Sequence, residues 1–483
     1  MLLARRLVQI ALCLDQLDSE SFQQLKHHSR VQDARDYFEV ASRLVLSQDY
    51  LVASQDGLET LLLQGRYHVA IGDIRSAWLV QRRASRIGYT IGLPRLAETA
   101  GGQTESVWFR NIYTDRFLSL MLGLPCEVLD NHFATTERLA TVSPELRLER
   151  IHVLVAGQII ARNLRMQCGK VLREQEILVE DYRETEQIDN QLKRASRILP
   201  TTWWVPSSDS EVSEQTTKLL LQMHQYYLLV FLHQPYLIQR FCLSFGGSGR
   251  RYTYCALAAA AASREVVVRF LLLRNYNRSS SFRTIDDKCF IGATTLLIAH
   301  IDGHRLDSAN VLEHQRSHDL GLVERAIELM EHLSTADNDK GRRSYAESLR
   351  QLVQMEADAA DGSVFQAWNE PDAVGHLAEG SLDGQNTIML SVPYFGGIYI
   401  AQEQLRSELE LCNPGTDLVQ TYVDDGPLAV LEDAHADPFS ARTSEIQKQI
   451  TCGHQNEISP GSSNGLSFEG DTTWFDNWIQ EEV

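Results

Sequence analysis

Apolar residues recur every three or four positions along most of the first four hundred residues, a spacing that dictates helices packed on helices. Leu3, Leu7, Ile10, Ala11 and Leu14 line one such stripe. Ala34, Tyr37, Phe38, Ala41 and Val45 line a second, over 33–46. Asp56-Gly57 precedes a third helix over 58–70. Asp73 is placed to cap a fourth that runs to Ile91, where Gly92-Leu93-Pro94 stops it. That helix is expected to bury Ile74, Ala77, Trp78, Ala84, Ile87 and Ile91. A fifth covers 106–122 with Phe109, Tyr113, Phe117 and Leu120 inward, and Gly123-Leu124-Pro125 ends it. Further helices are expected near 144–165, 172–199, 214–241, 253–273, 286–300, 320–333 and 341–360. The one β-like stretch is Ile388–Ile400, around Pro393-Tyr394-Phe395-Gly396-Gly397. From about Cys412 the periodicity fades. The expectation is an all-α fold: a large multi-helix domain over 1–411, an acidic low-order linker over 412–465, and an acidic-aromatic segment over 466–483. The last two make a flexible acidic tail.

Charge narrows the function. The net charge is −19, and 401–483 holds 16 acidic against three basic residues, so most of the excess sits in the tail. Nothing resembles the clustered basic footprint that phosphate contacts require. Arg82-Arg83 and Lys340-Gly341-Arg342-Arg343 read as solvated helix positions. No apolar run approaches the roughly 18–20 residues that span a bilayer. Leu2–Leu12, broken by Arg5, Arg6 and Gln9, reads as a buried amphipathic helix and not a signal peptide. The eight cysteines are scattered with no Cys-x-x-Cys pair, so they offer no zinc tetrahedron. Cys255, before the alanine run to Ala262, reads as a small core residue. An intracellular protein outside the membrane is expected.

Catalytic constellations are missing. Asp286-Asp287 and Asp424-Asp425 read as helix-capping or solvated acids, and His27-His28 has no second ligand at helical spacing. Gly101-Gly102 and Gly246-Gly247 read as turns. Cys452-Gly453-His454 and the match Gly461-Ser462-Ser463-Asn464-Gly465 fall in low-order sequence. A non-enzyme is expected, with no catalytic, cofactor or metal residues. Arg116 stands out because it lies beside the apolar face carrying Tyr113 and Leu120. A guanidinium there needs a carboxylate or carbonyl partner, and the adjacent Asp115 does not face it.

These residues also carry a likeness. Gly72, Arg75, Ala77 and Trp78, followed by Trp108, Tyr113, Asp115, Arg116, Ser119, Gly123 and Pro125, resemble the middle homology region of fungal binuclear zinc-cluster (Zn2Cys6) transcription factors. Leu229–Leu237, with His233, Pro235 and Tyr236, is similar to that family's leucine-rich helix. Cys255–Ala262, Tyr345–Leu352, Val392–Gly396 and Phe468–Asp476 resemble later motifs in order, so the likeness covers nearly the whole chain.

The resemblance implies a nuclear regulator of RNA polymerase II transcription, with an inhibitory or effector-sensing helical body. A protein partner or a small-molecule effector would act on it. The six clustered cysteines of such factors are missing, so zinc and direct DNA contact do not carry over. Either the coding start is placed too far downstream, or the regulator reaches DNA only through a partner. The alternative is a helical scaffold that heterodimerises with, or titrates, a full-length zinc-cluster factor. In the tail, Phe468, Trp474, Phe475 and Trp478 stand among acids, as in segments that enter a coactivator groove. Equally, they suit a short C-terminal helix that docks back on the body.

Overall fold

A computed structural model describes residues 1–16, 30–172, 175–205, 212–242, 252–276, 283–306, 310–337, 339–369 and 387–402. Helices dominate, as the apolar spacing predicts. The N-terminal layer comprises α1 (Leu2–Gln16), α2 (Arg30–Ala41), the short α3 (Asp49–Val52), α4 (Gln55–Ala70), α5 (Ile74–Thr90), α6 (Leu93–Ala100) and α7 (Gly102–Leu122). Then come α8 (Thr136–Ala140), α9 (Pro144–Leu172), α10 (Gln175–Ser196), α11 (Val212–Cys242), α12 (Thr253–Tyr276), α13 (Arg283–His304), α14 (Arg316–Asp337) and α15 (Lys340–Ala360). Three antiparallel strands close the described chain: β1 (Phe365–Asn369), β2 (Thr387–Val392) and β3 (Gly396–Gln402), in the order β1-β3-β2. Among the described residues, no helix is long and apolar enough to cross a membrane.

The centre is α11, α12 and α13. They pack in sequence on one another and are buried on nearly every side, which is why their apolar residues go all round. Tyr227, Phe231, Val267, Phe270 and Leu297 sit there with almost no exposure. Elsewhere the caps follow the chemistry. Asp73 accepts from the Ser76 amide at the start of α5, and Gly123 ends α7 in the left-handed region.

Several expectations change. α1 buries Ala4, Val8, Ala11 and Leu12, while Leu3 and Ile10 face solvent, one position off the predicted stripe. α2 buries Ala34, Phe38 and Ala41 but exposes Tyr37, and one π-helical turn over Ser42–Leu46 follows it. Gly92-Leu93-Pro94 ends α5 but also starts α6, since proline is tolerated in a first helical turn. β1 carried no sequence signal, whereas Ile388–Ile400 became β2 and β3. Gly101 and Gly102 do form a turn, both at positive φ.

The charges correct a simpler picture. Asp286 does not cap α13 in solvent; it lies buried 2.6 Å from Arg274 and 2.7 Å from Arg342. So Arg342 is no solvated position either. Arg82 and Arg83 are also engaged, by Pro125 O and Leu46 O respectively, and Arg83 pairs with Asp49. Each helix neighbour supplies a counter-charge or a carbonyl, which offsets the cost of desolvation.

Pro235, inside α11, shows the same logic. It has no N–H to give the carbonyl of Phe231, one turn earlier. Arg162 of α9 fills the gap, donating to Phe231 O at 3.2 Å and Leu232 O at 2.8 Å. Its other bonds go to Thr185 Oγ1 at 2.7 Å and Asn163 Oδ1 at 2.6 Å. Arg162→Met is expected to cost about 2–4 kcal/mol, read as a lower urea midpoint, because Phe231 O, already deprived of its helix donor by Pro235, then loses Arg162 as well. Restoring the amide with Pro235→Ala in that background should recover part of the loss. Additive losses in the double variant would refute the pairing.

Candidate functional site

The loop 123–131 between α7 and the 3-10 turn at His132–Ala134 draws most of the motif residues together. Two adjacent residues of α7 grip it from opposite chemistry. Asp115 Oδ2 accepts from the amides of Glu127 at 2.8 Å and Val128 at 3.0 Å. Arg116 donates to Asp130 O at 2.8 Å, Asn131 Oδ1 at 2.7 Å and, across the body, Val153 O at 2.9 Å. The Arg116 partners are therefore carbonyls, with Asp115 engaged elsewhere. Burial raises the Asp115 carboxyl above its usual range, against the two amide bonds and nearby Arg82. Burial likewise lowers Arg116.

The other end of the loop is tied to α5. Trp78 Nε1 donates to Ser119 Oγ at 3.1 Å, and Ser119 Oγ donates to Pro125 O at 3.2 Å. Arg82 stacks 4.3 Å over the Trp78 ring while bonding Pro125 O. Trp108 Nε1 donates to Asp130 Oδ2 at 3.0 Å, and Tyr113 OH lies 3.4 Å from His224 Nδ1. Ala77 is fully buried in α5. Gly72, at φ 82°, turns the chain beneath Arg283. Arg75 does not join: it points to solvent.

Three residues of this cluster were not among the site residues expected from the sequence, although Tyr394 lies in the Val392–Gly396 motif. Arg82 looked like half of a solvated pair, although it stands one turn after Trp78, where a stack is possible. Asp130 gave no signal. Tyr394, between β2 and β3, holds the left-handed region at φ 68° and donates to Ser119 O at 3.1 Å. It covers Gly123, where an added Cβ would meet Tyr394 N at 2.4 Å.

The remaining motif residues form a separate cluster. His233 is buried 3.7 Å from Asp189, which also receives Lys193 at 2.9 Å and the Tyr254 hydroxyl. Against the effect of burial, these three hold the Asp189 carboxyl down at about 2. Tyr236 OH meets Thr185 Oγ1 at 2.9 Å, beside the Arg162 and Pro235 pair. Phe468, Trp474, Phe475 and Trp478 lie outside the described residues, as do His27-His28, Gly246-Gly247, Asp424-Asp425, Cys452-Gly453-His454 and the Gly461–Gly465 match.

A third polar group is buried between α7, α11, α13 and α15. Lys288 Nζ lies 3.1 Å from His224 Nε2, and Tyr345 OH donates to Asp287 at 2.8 Å. Asp287 is therefore not a solvated acid. Burial pushes its carboxyl up to about 6 and pulls Lys288 down to about 8. Among the described residues, no cluster of His, Cys, Asp and Glu is placed to hold a metal. These three groups position backbone and neutralise one another; none aims a nucleophile at a cavity.

A surface groove of about 840 Å³ lies beside the loop. Trp78, Leu79, Ile87 and Pro125 give it an apolar floor, and Arg82, Arg83 and Arg86 line it with Asp49 and Glu127.

Comparison with known proteins puts this architecture in company. The chain is 30% identical to the dehydrocurvularin biosynthesis regulator of Aspergillus terreus, over 83% of its own length and 56% of the relative's. It is 31% identical to transcription factor sdnS of Sordaria araneosa, over 82% of its length and 51% of the relative's. With the probable transcription factor gsfR1 of Penicillium aethiopicum, identity is 28% over 83% of the chain and 57% of the relative. Over most of its length the chain thus matches fungal proteins named as transcription factors and biosynthesis regulators. It spans about half the length of these curated relatives. No family model matches the chain, and no solved structure matches it.

Two outcomes test the geometry. Gly123→Ala is expected to cost about 2–4 kcal/mol, from the left-handed conformation and the collision with Tyr394, lowering the urea midpoint with the slope unchanged. A midpoint within error of the wild type would show that the loop seat gives way freely. For Asp287, the raised carboxyl means that its contribution is fully present below pH 3.8 and is lost as pH rises through about 6. Between pH 4 and 6.5 the wild type should therefore lose about 2 kcal/mol more stability than Asp287→Asn. Parallel pH profiles would show that Asp287 ionises normally.

Proposed function

We propose that this chain is the regulatory part of a fungal transcription regulator of the zinc-cluster type, acting in the nucleus on genes read by RNA polymerase II. The observation that carries this reading is the likeness, across more than four-fifths of the chain, to fungal proteins named as regulators. One of them is named for the biosynthesis of dehydrocurvularin, so genes of a biosynthetic pathway are the expected targets. The site supports a non-enzymatic role, because its buried charges are spent on holding a loop and on bridging helices.

In this reading the helical body controls output and contacts protein partners, either a coactivator or a related factor as dimer partner. A small-molecule effector would bias the body between states. DNA is reached through a partner or through a module beyond this sequence, and zinc belongs only to such a module. Phe468, Trp474, Phe475 and Trp478 of the acidic tail supply the coactivator contact.

Fused to a heterologous DNA-binding domain, the chain should raise a reporter several-fold above the DNA-binding domain alone. Deleting 461–483 should return it to background. A reporter that stays silent with both fusions would sink the activator reading.

A further inference from the structure

α5 is unlike the rest of this acidic protein. Over Ile74–Thr90 it carries four arginines, Arg75, Arg82, Arg83 and Arg86, and no aspartate or glutamate. Arg75, Leu79, Arg82 and Arg86 follow a 4-3-4 spacing and so form one stripe. Most of the stripe faces outward: Leu79 keeps 62% of its surface and the Arg86 side chain 75%, and Arg75 is exposed, whereas Arg82 leans in over the Trp78 ring. Trp78, Ile87 and Pro125 continue it into the groove. Arg82 already faces Glu127 at 3.4 Å and Asp115 at 3.6 Å, and Arg83 faces Asp49 at 2.7 Å, which leaves Arg75 and Arg86 as the exposed guanidinium groups of α5. Arg86 stands 3.6 Å from Glu127, and a pair so exposed is screened by water and weakly held. An apolar floor rimmed by guanidinium groups suits a peptide that alternates aromatic rings with carboxylates, because arginine both pairs with carboxylate and stacks on rings.

We infer that the occupant is the chain's own C-terminal segment, 466–483, folded back onto the α5 groove. That segment carries Glu469, Asp471, Asp476, Glu481 and Glu482 without one lysine or arginine, and sets Phe468, Trp474, Phe475 and Trp478 among them. Its charge and its rings complement the groove point for point in kind.

Reach is no obstacle. The groove wall at Pro125 adjoins the turn between β2 and β3, through the contact of Gly123 with Pro393 and Tyr394. β3 then runs seven residues to Gln402, about 20 Å from that turn. Residues 403–465 follow, and at about 3.4 Å each they span far more than that distance. Tethering also supplies the segment at an effective concentration on the order of millimolar, so even a weak contact is populated. The contact itself requires nothing about transcription. That it withholds the tail's rings from another protein rests on the function proposed above.

Hydrogen exchange of the full chain tests the contact. Amides of 466–483 should exchange about tenfold slower in the intact protein than in a synthetic 466–483 peptide, independently of protein concentration. Arg75→Glu with Arg86→Glu, both on the exposed face, should release them to the peptide rate without shifting the thermal midpoint of the body. Adding Asp471→Arg and Asp476→Arg to that variant should restore the slowing. High salt should weaken it. A tail that exchanges at the peptide rate in the wild type overturns the inference, as does slowing that survives the arginine reversals. Slowing that grows with protein concentration assigns the groove to a second copy instead, and overturns docking within one chain. None of these outcomes bears on the reporter, so failure here leaves the transcriptional reading standing.

Discussion

Two neighbours on α7, Asp115 and Arg116, grip the loop 123–131 along its backbone, and much of the motif region depends on that grip. On a helix, adjacent side chains diverge by about 100°, so the two cannot neutralise each other directly. Instead Asp115 collects amide hydrogens from Glu127 and Val128 while Arg116 collects carbonyl oxygens from Asp130 and Val153. The loop backbone thereby meets one oxygen of Asp115 and part of the Arg116 guanidinium, and α9 supplies a further carbonyl. The arrangement fixes where Pro125 sits. Pro125 in turn receives Ser119 and Arg82 and brings Trp78 into line.

The same principle operates in the central helices with different partners. Asp286 is shared by Arg274 and Arg342, and Asp319 by Arg264 and His300. Arg162 completes a helix that Pro235 interrupts. Such buried pairs add little net stability compared with apolar packing, yet leaving one member alone is expensive. They act as register marks: a helix shifted by one residue would strand a charge. This explains why a body with so uniform an apolar pattern adopts one packing.

Legibility followed the physics of each signal. Apolar periodicity is repeated many times along the chain, so the long helices between α4 and α15 were largely readable, with Asp73 and Gly123 marking ends, while the short α6 and α8 gave no expectation. The buried face of α1 was not. Its residues offer two nearly equivalent stripes, and only the partner helices choose Ala4 and Val8 over Leu3 and Leu7. Arg116 could be recognised as needing a carboxylate or carbonyl partner because its helix face is apolar. Arg82, Arg342 and Asp286 could not, since a charge in a polar-looking run becomes buried only through residues distant in sequence. Asp130 and Tyr394 belong to the site for the same nonlocal reason. β1 was invisible because five residues in a sheet of three strands give almost no pattern.

Tyr394 joins the last described hairpin to the C-terminal end of α7, bonding a carbonyl 275 residues earlier in the chain. A ribosome adds roughly 5–20 residues per second, so this bond waits about 15–55 seconds after Ser119 is made. Throughout that interval Gly123 lacks its cover and the end of α7 its last donor. The seat at the end of α7 therefore cannot be completed until the turn between β2 and β3 has been synthesised.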